Sequence, residues 1–291
     1  MHARSKGILL AAISAFGFGT LAIFGRLATE AGIDLPTLLA YRFLLATPMV
    51  WVPMLARRRL SPLRGRNLAI GIGLGAVGYA AMSYLFLFGV NLTGAGLGAL
   101  ILYIYPALVV ALAATVMDER ITRLTVAAAL VAVVGVGLVA TGQPVRVDPL
   151  GVGVLLLAAG VYATYIVLSR HVLQTVSAPA LSAHVIPAAS VTFVAYTLLT
   201  GTFTIPTSPY EWGIVVGVAA LATAVPILTF FAAVSIVGAS RTSVVSTFEP
   251  VFTVALGAVV LGESLTLGSI VGGSAVLAGV LLIQLERTEP S

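Results

Sequence analysis

The chain has 291 residues, of which 59% are hydrophobic and only 9% charged, and its mean hydropathy is +1.11. A soluble domain carries about 25% charged residues, so this composition excludes a water-clothed globule and implies a polytopic membrane protein. The net charge of +5 comes almost wholly from arginine, since Lys6 is the lone lysine, and in so apolar a chain that basicity reports topology rather than nucleic-acid binding. The absence of cysteine excludes disulfides and thiol catalysis.

Runs of about 20 apolar residues cross the hydrocarbon core. Backbone polar groups in lipid must be satisfied within each segment, which makes these runs helices; the short alternating strands of a membrane β-barrel are missing. In chain order the expected spans are 7–29, 36–56, 67–89, 94–117, 122–141, 149–172, 178–200, 210–236, 239–261 and 267–285. The first run is too long for a signal-peptide core and lacks a cleavage site, so it is retained as a helix. With the N-terminus in the cytoplasm, Arg4, Lys6, Arg57, Arg58, Arg59, Arg64, Arg66, Arg120, Arg123, Arg170, Arg241 and Arg287 all fall inside, against Arg26 and Arg146 outside. This asymmetry predicts that both termini are cytoplasmic.

The fourth and ninth runs resemble each other. "YIYPALVVALAATVMDERIT" at 103–122 aligns without a gap on "TFEPVFTVALGAVVLGESLT" at 247–266 when the chain is slid by 144 residues. Pro106 meets Pro250, Glu119 meets Glu263 and Thr122 meets Thr266, while Gly73 meets Gly217 and Gly135 meets Gly279 at the same offset. One offset held across most of the chain predicts a duplication. Its units are 1–143 and 144–291, each of five helices. Because five is odd, the second unit enters from the opposite side. The expected fold class is therefore all-α integral membrane, with ten transmembrane helices as two inverted five-helix repeats. Such repeats typically build secondary transporters with a central site and alternating access.

The residues "AFGFGTLAIFGRL" in the first run, "YATYIVLSR" in the sixth, "DERITRLTVAAALVAVVGVGLVA", and the proline helix followed by "GESLTLGSIVGGSAVLAGVLL" resemble the EamA-type repeat of the drug/metabolite transporter superfamily. The aromatic-rich centre is similar, more narrowly, to YddG-type exporters of aromatic amino acids. The resemblance implies ten helices, a bacterial inner membrane location and outward transport of small metabolites.

Enzyme signatures fail. The lone Lys6 leaves no place for a P-loop, and His2, His171 and His184 are scattered without metal-ligand spacing. No cofactor and no metal is expected. "GLGAVG" at 73–78 lies inside an apolar run and reads as helix packing, as do the GxxxG pairs Gly71/Gly75, Gly213/Gly217 and Gly268/Gly272.

Ionisable residues within a span are costly and mark cavities, relays or partners. Glu249 falls roughly 15 Å into the ninth run at helical rise, near midplane. Thr242, Ser246, Glu249, Thr253 and Gly257 fall at spacings that form one polar stripe along that helix, facing the bundle interior rather than lipid. Glu249 is either a substrate-ammonium or proton site or a protonated packing residue; its counterpart in the first half is Tyr105. Arg42 lies about 9 Å inside the outer end of the second run. It either binds a substrate carboxylate, snorkels outward, or pairs with Asp34 or Glu30. His184 is a weaker candidate. Tyr79 and Ser83 share a face of the third run, Tyr162 and Tyr165 a face of the sixth, and Tyr103 and Tyr105 lie at the kink-prone point set by Pro106. These residues, with Ser246, Glu249 and Arg42, are the expected pathway, and Pro106 and Pro250 the expected hinges.

The function expected is export of small amphipathic metabolites, aromatic or hydrophobic amino acids first, by alternating access. Drugs, nucleosides or sugars are the alternative cargo. A membrane enzyme acting on lipid and a non-transporting scaffold are the alternatives of another class. The expected partners are a small-molecule substrate, membrane lipid and a coupling proton, with no nucleic acid, and the expected state is a monomer.

Overall fold

The computed structural model describes residues 3–56, 62–93, 95–116, 121–139, 148–262 and 265–285. Arg57, Arg58, Arg59, Arg120, Arg146, Arg287, Glu119 and Glu263 lie outside the described residues.

Every regular element among the described residues is helical. The helices are α1 (Ala3–Glu30), α2 (Leu35–Ala56), α3 (Gly65–Gly73), α4 (Ala80–Thr93), α5 (Ala95–Leu102), α6 (Tyr105–Val116), α7 (Arg123–Val139), α8 (Pro149–Leu173), α9 (Ala178–Thr200), α10 (Pro209–Ala219), α11 (Val225–Val237), α12 (Ala239–Ser246), α13 (Glu249–Leu261) and α14 (Leu267–Leu285). Two wide π-helical turns, Leu74–Tyr79 and Ala220–Ala224, join α3 to α4 and α10 to α11 without ending either helix. Seven helical stretches are long and apolar enough to cross a membrane: α1, α2, Gly65–Thr93, α8, α9, Pro209–Val237 and Ala239–Leu261. Tyr105–Val116, Arg123–Leu138 and Ile270–Gly279 are shorter apolar helices.

Sequence chemistry sets the boundaries. Asp148 caps α8 by accepting from the Gly151 amide at 2.9 Å, with Pro149 in the first turn where a missing N–H costs nothing. Ser208 and Glu211 form a capping box at α10: the Glu211 amide donates to Ser208 Oγ (3.2 Å) and the Ser208 hydroxyl to Glu211 Oε1 (2.9 Å). At the far end of α11, Arg170 Nη1 donates to the carbonyls of Val234 and Ser235 at 3.0 and 2.9 Å, satisfying acceptors that the helix end leaves open.

The 144-residue offset also orders the packing. α1 lies along α11 and α13, and α8 lies along α4 and α6, which are the offset counterparts of those two helices. α2 packs on α9, and α7 on α14. In this last pair Gly135 and Gly279 exchange roles. A Cβ at Gly135 would stand 2.7 Å from Val276 N and 2.8 Å from Gly272 O, and one at Gly279 would stand 2.8 Å from Ala128 O. Each glycine thus lets its helix touch the other's backbone. Of the GxxxG positions, Gly75 sits against the Val185 carbonyl of α9 and Gly217 under the Phe24 ring, whereas Gly213 faces open space. GxxxG spacing alone therefore did not identify the contacts.

Two expectations are corrected. The fourth run is not one helix: it breaks at Tyr103–Ile104, as the ninth does at the offset positions Thr247–Phe248. Each break lies just ahead of its proline, which thereby falls in the first turn of the following helix, where its missing N–H costs nothing; Pro48, Pro53 and Pro187 lie inside α2 and α9 without such a break. The break in turn divides the polar stripe, so that Thr242 and Ser246 belong to α12 and Glu249 opens α13.

Alanine at Gly135 or Gly279 should destabilise by about 1–3 kcal/mol, the cost of overpacking, while Gly153→Ala, with nothing near its added methyl, should not. Thermal unfolding in detergent checks this; equal behaviour of all three would remove the backbone-contact account.

Candidate functional site

The centre is assembled around Arg42. Its residue exposure is 2%, and it neither snorkels nor pairs with the acids near its helix end. Asp34 accepts from the Thr37 amide (2.7 Å) and Glu30 pairs with Arg26 (3.1 Å). Arg42 instead turns inward. Nε donates to Thr223 Oγ1 at 2.8 Å, and Nη2 donates to the Tyr79 hydroxyl at 2.7 Å and to the Ala222 carbonyl at 3.2 Å. Its Cζ stands 5.0 Å from the Phe43 ring centroid and 5.5 Å from that of Tyr79.

Both wide turns supply these contacts. Tyr79 ends the first. Ala222 and Thr223 lie in the second, where Pro226 follows four residues after Ala222 and has no N–H to offer its carbonyl. The orphaned acceptor is taken by Arg42. Thr223 also donates to Val218 O, five residues back, at 2.9 Å, which fixes the widened turn. In the first turn the Ala76 carbonyl accepts from Thr192 of α9 at 3.0 Å.

From Arg42 a row of rings crosses the centre. Phe193 stacks on Phe43 (5.4 Å between centroids), Phe43 meets Tyr79 (5.1 Å), and Tyr79 meets Tyr165 (6.0 Å). Tyr165 meets Tyr162 (6.0 Å), Tyr162 meets Tyr105 (4.5 Å), and Tyr105 meets Tyr103 (5.9 Å). At the far end Tyr103 neighbours the Glu249 carboxyl. Glu249 and Tyr162 are half-buried among otherwise buried tyrosines, so the centre is not sealed. Arg42 is close enough to Glu249 to interact electrostatically, yet the two form no ion pair.

The structure thus gathers Arg42, Tyr79, Tyr103, Tyr105, Tyr162, Tyr165 and Glu249. Ser246 adjoins Tyr105, but its hydroxyl donates to the Thr242 carbonyl at 2.9 Å, and the buried Tyr105 hydroxyl has no hydrogen-bond partner. Ser83 is half-buried and makes no hydrogen bond to a described residue, so it stands outside the row. Thr253 of the divided stripe donates to the Gly19 carbonyl of α1 at 3.1 Å, a packing contact rather than a site contact. His184 is structural. Its Nδ1 contacts the Ala180 carbonyl at 2.8 Å and its Nε2 accepts from the Leu63 amide at 3.3 Å, away from the centre. No cluster of metal-ligating side chains occurs among the described residues. A separate cavity of about 320 Å³, lined by Met49, Met54, Ser177 and Leu228 among others, has no charged wall.

Sequence reasoning missed Thr223, Ala222, Phe43 and Phe193. Pro226 was the legible signal for the open Ala222 carbonyl, since a proline has no N–H for the carbonyl four residues before it; it did not mark the wide turn itself, because Pro48, Pro53 and Pro187 lie inside helices without one.

Thr223→Val keeps the shape but leaves Arg42 Nε unpaired in the interior. A loss of about 1–3 kcal/mol is expected, with Thr223→Ser near wild type; unchanged melting of the valine variant would show that the contact carries no stability.

The centre contains binding chemistry, both charges and an apolar wall, within a bundle of membrane-length helices. The chain is 26% identical over 279 residues to an uncharacterized transporter, YcbK, of Bacillus subtilis (strain 168), covering 92% of this chain and 89% of that one. It is 27% identical over 210 residues to an uncharacterized transporter of Archaeoglobus fulgidus, covering 71% and 74%. A solved structure, described as a crystal structure of protein, superposes with a TM-score of 0.83 over 97% of each chain at 21% identity, a likeness of fold alone. The relatives' names carry no substrate and lend no support to the narrower YddG resemblance. The EamA-like transporter family profile matches twice, over residues 5–141 and 149–285, and the chain belongs to that family.

Proposed function

We propose that the protein is a secondary exporter of small amphipathic metabolites, aromatic or hydrophobic amino acids foremost, across a bacterial inner membrane. The single observation that carries this reading is the row of tyrosines with Glu249 half-buried at its end. Aromatic faces bind an apolar side chain, hydroxyl tips fix its orientation, and a carboxylate at membrane depth suits an ammonium group or a coupling proton. The tyrosine-lined centre favours this cargo over drugs, nucleosides or sugars. Among the described residues no paired acid and base around a reactive group favours a lipid-modifying enzyme.

Alternating access would follow from two inverted five-helix units, 1–143 and 144–291, making ten crossings with both termini cytoplasmic. The exchange of packing partners at the 144-residue offset supports the duplication, and the matched breaks ahead of Pro106 and Pro250 supply a bending point in each unit.

Two experiments test this. Inside-out vesicles should accumulate labelled L-phenylalanine in a pH-dependent way, and Glu249→Gln should abolish that pH dependence while protein levels hold. Absence of flux for every amphipathic amino acid would sink the proposed cargo; an unaltered pH profile would reduce Glu249 to packing. Pro106→Ala and Pro250→Ala should bias the protein toward opposite facing states, read as opposite shifts in spin-label distances at the two mouths. Shifts in the same direction would contradict the exchange of conformations between units.

A further inference from the structure

Arg42 carries a full positive charge at 2% exposure, and no carboxylate forms an ion pair with it among the described residues. Burying an unpaired charge is expensive, and the ring faces of Phe43 and Tyr79 offset only part of that cost. The donor inventory is also incomplete. A guanidinium has five N–H groups. Nε uses one, on Thr223, and Nη2 uses two, on Tyr79 and Ala222. Nη1, with the remaining two, makes no hydrogen bond to any described residue. All three acceptors in use are neutral, and Glu249, although within electrostatic range, forms no ion pair with it.

We infer that Arg42 is an anion subsite, and that the anion it takes is the carboxylate of the carried molecule. This rests on the proposed cargo reading and adds to it a requirement: the substrate must bear a carboxylate beside an apolar or aromatic body. The planar fork of Arg42 suits a carboxylate geometrically. The ring row runs from Arg42 toward Glu249, so an amphipathic acid with its carboxylate on Nη1 has its side chain against Tyr79 and Tyr165. A carboxylate gripped by the fork, with one N–H from Nη1 and the parallel one from Nη2, displaces the Tyr79 hydroxyl or the Ala222 carbonyl from Nη2. Each of those groups belongs to one of the two wide turns. Where the Ala222 carbonyl is the group displaced, cargo binding loosens a tie that spans both halves of the chain, coupling occupancy to their relative position.

The test uses the purified full chain in chloride-free buffer and isothermal titration with three probes: 3-phenylpropionate, phenethylamine and L-phenylalanine. Arg42→Lys keeps the charge but not the fork. It should weaken 3-phenylpropionate and L-phenylalanine by at least about tenfold, the scale of one charge-assisted contact, and change phenethylamine by less than about twofold. Equal weakening of all three probes, or no weakening, overturns the subsite, as does failure of the wild type to bind 3-phenylpropionate. Chloride binding that depends on Arg42 and outcompetes 3-phenylpropionate overturns the carboxylate assignment in favour of an inorganic anion. If Arg42→Lys does not fold, Tyr79→Phe decides. It frees a second N–H on the same guanidinium and should bind 3-phenylpropionate at least as tightly as wild type; weaker binding contradicts the proposal. Vesicle flux separates this from the cargo reading. Carboxylate binding that requires Arg42 without flux leaves the subsite and removes transport of that cargo, whereas flux with Arg42-independent affinity does the reverse.

Discussion

A guanidinium buried among apolar helices is the constraint around which the centre is organised. Charge at that depth is tolerated only where the protein supplies acceptors, and regular helices have none to spare because their carbonyls are used internally. The second wide turn solves this. Pro226 withholds an amide, the Ala222 carbonyl is freed, and Thr223 offers its hydroxyl to Arg42 while holding the Val218 carbonyl. The first wide turn contributes Tyr79. Distorted turns of this kind recur at functional sites, and here they connect α2 to both long helices at once. The small residues that bring these elements together serve the same end: Gly17 lets α1 reach the Leu221 carbonyl of the second turn, and Gly75 lets the first turn reach α9.

The two halves share their architecture but differ at the centre. Tyr105 and Glu249 occupy offset-equivalent positions at the first residue of α6 and α13. One provides an unpartnered hydroxyl and the other a half-buried carboxyl. Likewise Ile186 stands where the offset would place a second Arg42, and it is fully buried as an apolar residue. The duplicated frame thus holds one basic and one acidic group rather than two of each, which gives the centre a polarity that a bipolar substrate can match.

Much of the frame was legible in the sequence. Composition forced membrane helices, the 144-residue offset marked corresponding elements, and Pro106 and Pro250 pointed to the interrupted helices. The position of each interruption was not legible, because Pro48, Pro53 and Pro187 sit inside unbroken helices and a proline alone does not say which helix will part, so a stripe drawn across Thr247–Phe248 mixed two helices. The tyrosines of the centre could be named because they lie far from the expected interfaces. The fate of Arg42 could not be read from spacing alone: Asp34 and Glu30 were nearer in sequence, but the first caps α2 and the second pairs with Arg26. Its actual partners are 37, 180 and 181 positions away in the chain, and only tertiary packing brings them within reach.

The central claim is that cargo lies along the tyrosine row with its charged groups between Arg42 and Glu249. The most direct measurement is a structure determined with 4-iodo-L-phenylalanine bound, with the iodine located by anomalous scattering. The account predicts one iodine site beside Tyr79, Tyr165 and Tyr162, with ligand density reaching Arg42. Iodine confined to the Met49–Leu228 cavity or to the lipid-facing surface, with the centre empty, would contradict it.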